Sequence, residues 1–561
     1  YDLSTNAYFG AVSPKAHQHL ESFVTTPWPK WQFQFSDCTV KRELFMVHGE
    51  HTVVVRYTLT ADSSAMLTVR PLMAFRPDNV VCREHARVGQ NWHVTSEFIE
   101  CTPDTGGPSL YIAHPNARVQ TIGLWYRGFL YERDRESHVD CIEDLYQPGY
   151  LEMPLVPGEP CALVFSTPSP RSIELVTAYQ ETELNRRAGV RQGIPNTDEF
   201  FQALLSSASG FVYDDSETAT AILAGLPWGE AQTFHGLMAF SGVLLVGKRF
   251  AEARRYLHTM CNLWLATAHP SQFAKETVAG QIHAADVPLW LFVAAWRYWR
   301  ATGDALFISD VILPVFTSII DYHESNGEVR QTESGLIEVG YEAHANYRPV
   351  LPLGTNVLWY NALMTMAEFT AATDDGSARK WQQLARKVRE NLVQVFQSDS
   401  RPGLANAVYL TPVNRDESIR LSQVLALGLP FSVLDDPHPT AQLIAEHLTT
   451  PYGPRTLSYA DDRYVGNGSD VSKLPKIWSG SVDPMWFGLW CDGMGRVDFS
   501  VKREMFVPFE LHLGSRGIGH ISGAYAGDAP HNACDYVASS GAVGEVMRVY
   551  ARDVLKLRHV V

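Results

Sequence analysis

Eighteen residues near the C-terminal end, Gly514 to His531, concentrate groups able to do chemistry: GSRGIGHISGAYAGDAPH. The glycine-rich opening has no strand signal before it, so it is not a phosphate or dinucleotide loop. His520 and His531 lack the cysteine or carboxylate spacing of a metal site, and no metal or cofactor is expected. Asp528 stands two residues ahead of Pro530, where it reads either as a turn or capping residue or as a reactive acid. Elsewhere Glu342 reads as a solvated loop acid or a proton donor. Asp286, two residues before Pro288, reads as a helix cap or a ligand for a polar group. Trp228, Trp290, Tyr341 and Trp359 offer flat faces for stacking; Trp290 and Trp359 lie on apolar helices, where core packing serves equally well. Arg420 can donate forked hydrogen bonds or close an ion pair at a helix end.

The elements that must position these groups fall into two blocks. The chain has 561 residues, enough for two domains or more. In the first third, short runs rich in β-branched and aromatic residues alternate with polar turns. The clearest are 52–60 and 66–75, with others near 31–35, 92–98, 119–126 and 162–166. They predict an antiparallel β-sandwich over residues 1–170. Residues 171–195 read as a linker. From 196 to 561 the apolar period becomes helical, in 251–268, 287–301, 305–323, 357–372, 378–396 and 418–434. Weaker candidates at 197–210, 233–247, 438–449, 484–495, 501–513 and 541–557 complete twelve helices, the number an (α/α)6 toroid requires. The expected fold is therefore multi-domain β + α, a β-sandwich followed by that toroid.

Composition narrows the partners. The formal net charge of −15 disfavours nucleic acid, whose phosphates need a basic surface, and anionic membranes. Hydrophobic residues make up 45% of the chain, enough for a large interior, yet no apolar run reads as a membrane span. Eight cysteines scattered without a CxxC pair point to reduced thiols and a cytoplasmic setting. A neutral, polar small molecule fits this surface; oligomeric state is not legible.

Motifs in order along most of the chain resemble those of the amylo-α-1,6-glucosidase (glycogen debranching enzyme) family. In the β-rich block they are Tyr1-Asp-Leu3, Lys41-Arg42-Glu43, Met46-Val47-His48-Gly49 and Arg70-Pro71-Leu72. In the helical block they are Asp286-Val-Pro-Leu-Trp290, Trp359-Tyr-Asn-Ala-Leu363 and Thr449-Thr-Pro-Tyr-Gly-Pro-Arg-Thr-Leu457. The segment from His520 to His531 resembles the family's G-H-I-S-E…D-G-D-A-P-H. The resemblance implies an active site in the helical barrel and a carbohydrate or related glycoside as ligand.

It also implies site residues, one position at a time. Gly340-Tyr341-Glu342-Ala343 matches the family's W-M-D-A element, which places Glu342 as the general acid. Trp228-Gly229-Glu230-Ala231 stands where the family has W-G-R-D, so Trp228 and Glu230 face the sugar without the Arg-Asp pair. Arg420 and Gln423 keep the outer residues of R-P-N-Q. Asp483-Pro484 ends the match to Y-H-Q-G-T-V-W-P, without its histidine. Asp286, Tyr341, Trp359 and His531 complete the implied binding set. The family's base, a glutamate after the serine, is Gly523 here. Glycoside hydrolysis needs two carboxyl groups flanking the bond. Asp528 is the nearest acidic substitute in the chain, with Asp483, Asp535 and Glu230 as others. Three functions remain open: an α-glucoside-cleaving enzyme with altered machinery; an isomerase, lyase, cyclase or transferase on the same scaffold; or a non-catalytic carbohydrate-binding homologue.

Overall fold

The computed structural model describes residues 1–560 apart from 78–79, 86–90, 103–105, 137–139, 193, 195–196, 217–218, 228, 275–282, 326–328, 342–347, 372–374 and 467–478. It divides into two compact units, Tyr1–Gly189 and Val190–Val561.

The first unit is built from antiparallel strands whose alternate side chains are apolar, the pattern that buries one face of a sheet. A five-stranded sheet has the order Ala11–Lys15, Thr5–Tyr8, Arg118–Leu130, Ile142–Leu155, Ala65–Val69. An eight-stranded sheet has the order Leu20–Val24, Lys30–Gln34, Thr39–Met46, Thr52–Thr60, Pro160–Ser166, Leu110–Ala113, Phe98–Thr102, Asn91–Val94. Leu151, Met153 and Leu155 of the smaller sheet share one core with Phe33, Val40, Leu59, Ile99, Ile112 and Leu163 of the larger. That shared core makes the pair a sandwich. Trp28, Phe45, Val54 and Val164 form a second cluster, covered by Val176 and Tyr179 of the helix Val176–Gln192. The stretch read as a linker is thus largely helix, and the division between units falls inside that helix.

In the second unit the helices are α1 Glu199–Ser209, α2 Thr233–Phe240, α3 Phe250–Thr267, α4 Asp286–Thr302, α5 Leu313–Ser325 and α6 Leu353–Ala371. They continue as α7 Asp375–Phe396, α8 Leu421–Gly428, α9 His438–His447, α10 Phe487–Met494, α11 Val507–His512 and α12 Ser540–Val549. The even-numbered helices touch in a closed ring, α2 to α4, α6, α8, α10, α12 and back to α2. Ring helices are apolar on every side: α4 buries nearly all its residues from Asp286 to Tyr298. An outer helix has one apolar stripe instead, as in Trp381, Ala385, Val388, Leu392 and Phe396 of α7.

Several expectations change in the folded chain. The helix expected over 418–434 ends at Gly428, because Leu429 is extended ahead of Pro430. A five-stranded antiparallel sheet, absent from the sequence reading, lies in the helical unit: Val329–Gln331, Ile337–Tyr341, Arg348–Pro352, Ala407–Leu410 and Val413–Asp416. Residues Ala305–Glu324 do reach the length and mean hydropathy (1.6) of a spanning segment. There, however, Phe316, Ile319 and Ile320 are fully buried in the protein core, as in an outer helix of a packed domain.

The ring is locked by charge near the C-terminal ends of three of its helices. Arg548 on α12 is 1% exposed and donates to Glu545 and to Asp492 of α10, each at 2.8 Å. Arg297 of α4 stands 3.5 Å from Glu545 and 3.7 Å from Asp492. Burial alone would raise the Asp492 carboxyl, but Arg548, Arg552 and Arg297 hold it far below the usual carboxylate range. Replacing Glu545 by Leu leaves two guanidinium groups out of water with half their counter-charge. The unfolding free energy of the Glu545→Leu protein should fall by about 3–5 kcal/mol in guanidinium titration. A change near zero would mean that water already reaches these charges.

Candidate active site

Arg297, Asp492, Glu545 and Arg548 meet although each lies toward the C-terminal end of its own helix. Phe234, Trp290 and Trp486 also meet, with ring centroids 6.1–6.3 Å apart, at or just before the N-terminal ends of α2, α4 and α10. α4 and α10 contribute to both sets and therefore run in the same direction. Their N-termini then converge at one mouth of the ring, where the helix dipoles favour negative charge.

Several polar side chains gather at that end. Asp286 begins α4 and is 4% exposed. Ala285 stands at the N-cap position, where no side chain caps the helix; Asp286 turns back, and its Oδ2 accepts from the His283 amide at 2.9 Å. The carboxyl and the Thr355 hydroxyl of α6 are close enough to interact, yet Asp286 Oδ1 and Thr355 Oγ1 are both buried without a hydrogen bond of full geometry. Burial raises the Asp286 carboxyl, opposed by His283, Thr355 and His323. The Trp486 indole N–H is likewise buried and unpartnered.

Asp483 caps the single turn Pro484–Trp486 that leads into α10, with Oδ1 accepting from the Met485 amide at 2.9 Å. Val482 bridges Tyr525, so Asp483 is brought beside the short hairpin that pairs Ala524–Tyr525 with Ala533–Cys534. In that hairpin Ala524 faces Cys534, which sets Gly523 opposite Asp535. A Cβ added to Gly523 would lie 2.5 Å from Asp535 Oδ2. Asp535 therefore occupies the volume of a side chain at position 523. The Gly523 amide donates to the Tyr536 carbonyl at 2.9 Å, and Arg516 donates to the Asp535 carbonyl at 3.0 Å. His235, in the first turn of α2, faces both carboxyls. Burial pushes Asp483 up to about 7, opposed by the Met485 amide and His235 and reinforced by Asp535. Asp535 is also raised by burial, against His235, the Tyr536 amide and Arg516. All three side chains belong to partly accessible residues.

The residues expected from sequence divide. Glu342 and Trp228 lie outside the described residues. Tyr341 ends the strand Ile337–Tyr341 opposite Arg348, and its ring is outside the described part. Trp359 is a correction: it is fully buried, donates to the Gly335 carbonyl at 3.2 Å and stacks on His323, so it has no face free for a ligand. Gln423 is another. It is fully buried, accepting from the Arg420 amide at 2.7 Å and donating to the Leu404 carbonyl at 3.1 Å. Arg420, the residue before α8, donates to Ser418 at 3.0 Å and is 9% exposed. Glu230 is exposed, and its carbonyl closes the turn to Ala224 and Gln232.

Asp528 sits near the tip of the hairpin. It accepts from the Tyr464 hydroxyl at 2.8 Å, and its carboxylate lies against Gly466, where a Cβ would meet Oδ2 at 2.1 Å. The acid beside Gly523 is Asp535 rather than Asp528, because hairpin register and not chain distance decides proximity. His531 donates from Nδ1 to the Ala526 carbonyl at 2.9 Å and holds the same tip. Sequence reasoning does not single out His235 or Thr355. Their signal was position, each opening a ring helix.

Residues 1–162 match the glycogen debranching enzyme N-terminal family, and residues 205–548 match the amylo-α-1,6-glucosidase family. No curated protein sequence matches the chain. Among solved structures, a bacterial glucoamylase complexed with acarbose superimposes with a TM-score of 0.54 at 12% identity, over 94% of this chain and 83% of that one. A sialidase follows at a TM-score of 0.47 and 11% identity, over 94% and 54%. The glucoamylase likeness agrees with the β-sandwich and closed helical ring of this chain. By the families that span its two units, the chain belongs to the amylo-α-1,6-glucosidase family of glycogen debranching enzymes.

Proposed function

We propose that the protein is a glycoside-processing enzyme that cleaves an α-glucosidic bond with acid assistance, Glu342 serving as proton donor. One observation carries this reading. Asp286 Oδ1, Thr355 Oγ1 and Trp486 Nε1 are buried without partners at the N-terminal end of the ring helices. A buried polar atom left unsatisfied costs about 1–3 kcal/mol, and a cluster of them is worth keeping where a ligand completes the hydrogen bonds. Two are acceptor-capable oxygens and one is a donor, a mixture that hydroxyl groups satisfy because each hydroxyl both donates and accepts. The buried rings of Phe234 and Trp290 pack at the same end and form an apolar wall beneath these groups.

The chemistry asks for a second carboxyl group across the bond from Glu342. The Asp483 and Asp535 pair supports that requirement, and for this reason hydrolysis is favoured over the other reaction types the scaffold could run. The glucoamylase complexed with acarbose is an enzyme of like fold on a carbohydrate-like ligand, in line with the substrate class proposed here.

Incubation with branched α-glucan limit dextrin, isomaltose and panose, followed by NMR and mass spectrometry, tests the reading. Glucose should be released, and Glu342→Gln should reduce that release by roughly 10²–10⁴-fold. Release undiminished in Glu342→Gln would remove the acid role; a rearranged or eliminated product without free sugar would move the protein to another reaction class. Asp286→Asn should lower kcat/KM roughly 10–100-fold, the value of a hydrogen bond to a charged group. Its unfolding midpoint should hold steady or rise, since a costly buried carboxyl is being removed. A variant with normal kinetics and a lower midpoint would make Asp286 structural.

A further inference from the structure

Acid-assisted cleavage by Glu342 leaves the identity of the base open, and any assignment of the base rests on that proposed function. Three features meet at Asp535. Hairpin register sets it directly across from Gly523. Its carboxylate Oδ2 is 2.5 Å from where a Cβ at position 523 would stand. Its backbone is in the left-handed region at φ 61, a conformation a non-glycine residue holds at a cost of about 1–3 kcal/mol and one that clusters at functional sites. Asp is among the residues that tolerate that conformation, and the Arg516 donor on the Asp535 carbonyl helps to fix it.

We propose that Asp535 is the general base of this enzyme, supplied from the opposite strand of the hairpin into the space that Gly523 leaves empty. Its carboxylate takes a proton from the attacking water as the water oxygen bonds to the anomeric carbon and the bond to the leaving group breaks. The leaving group departs with the electron pair, and the proton on Asp535 later passes to solvent. Asp483 is the positioning partner. Two neighbouring carboxyls do not both ionise readily, so Asp483, pushed up to about 7, and Asp535, also raised by burial, hold one proton between them. His235 and Arg516 face Asp535 and favour its ionised form, and the Cys534 thiol lies beside it. Gly523 is then a steric condition for activity, since any side chain there would displace the base.

α-Glucosyl fluoride separates the base from the acid, because fluoride leaves without being protonated. Fluoride release is measured for the full-length protein, Asp535→Asn, Gly523→Glu and the double variant Gly523→Glu/Asp535→Gly, each with its thermal unfolding midpoint. Wild type should release fluoride, with a rate that falls on the acid side at a pH above the ordinary carboxylate range. Asp535→Asn should lose roughly 10²–10⁴-fold while remaining folded. Gly523→Glu alone should lose activity through collision with Asp535. The double variant moves the carboxylate to the other strand and should recover at least about tenfold over Asp535→Asn. Asp535→Asn within about threefold of wild type would overturn the proposal and leave the glycosidase reading standing. A folded double variant no better than Asp535→Asn would overturn it also, and this second arm holds even if Asp535→Asn fails to fold. Wild type that releases neither fluoride from this substrate nor sugar from the branched glucans would overturn both readings together.

Discussion

Charge withdrawn from water must be answered by charge, and this constraint organises the helical unit. Arg548 and Glu545 are each 1% exposed; Glu545 and Asp492 answer the charge of Arg548, and Arg548 and Arg297 answer that of Glu545. These four groups come from three helices of the ring. They meet only if α4, α10 and α12 run the same way at the same height, so the network rules out sliding or reversal of a ring helix that apolar packing alone would tolerate. The C-terminal ends being tied, the N-terminal ends have one place to converge.

That convergence makes the opposite mouth electropositive before any side chain is counted. Carboxyls collect there in consequence: Asp286 on the first turn of α4, Asp483 before α10 and Asp535 shortly before α12. Burial raises all three, and the nearby histidines and helix ends oppose it. Groups whose burial and surroundings pull in opposite directions are the ones that can change protonation within a catalytic cycle. At the C-terminal end the same residue type is fully compensated, and Asp492 is held ionised. One fold thus holds a fully compensated acid at one end of a ring and acids raised by burial at the other.

The architecture was legible because it rests on period and composition: alternation in strands such as Thr52–Thr60, the fourfold-spaced stripe of α7, and the all-round apolar character of α4. The sheet within the helical unit was not, because strands such as Val329–Gln331 and Val413–Asp416 are too short to show alternation. Trp359, Arg420 and Gln423 sit in family motifs, and in the fold they hydrogen-bond to Gly335, Ser418 and Leu404. Asp286 resembled a cap because carboxylates and helix starts go together; only the fold separates a carboxyl spent on its own helix from one with an oxygen to spare. Asp535 was readable in principle. Gly527-Asp-Ala-Pro530 is a turn signal, and a hairpin folded about it brings residue 535 to residue 523.

Register also explains how a reactive carboxylate can change its place in the chain while keeping its place in space. Residues directly opposite in an antiparallel pair have Cβ atoms about 4.5–5.5 Å apart, less than the reach of two acidic side chains aimed at each other. Both cannot keep these positions, since the Cβ of one would stand 2.5 Å from the carboxylate of the other and one side chain must turn aside. A glycine where the resembled motif has glutamate leaves that volume to the Asp535 carboxylate, held on a backbone in the left-handed region that Asp tolerates better than most residues.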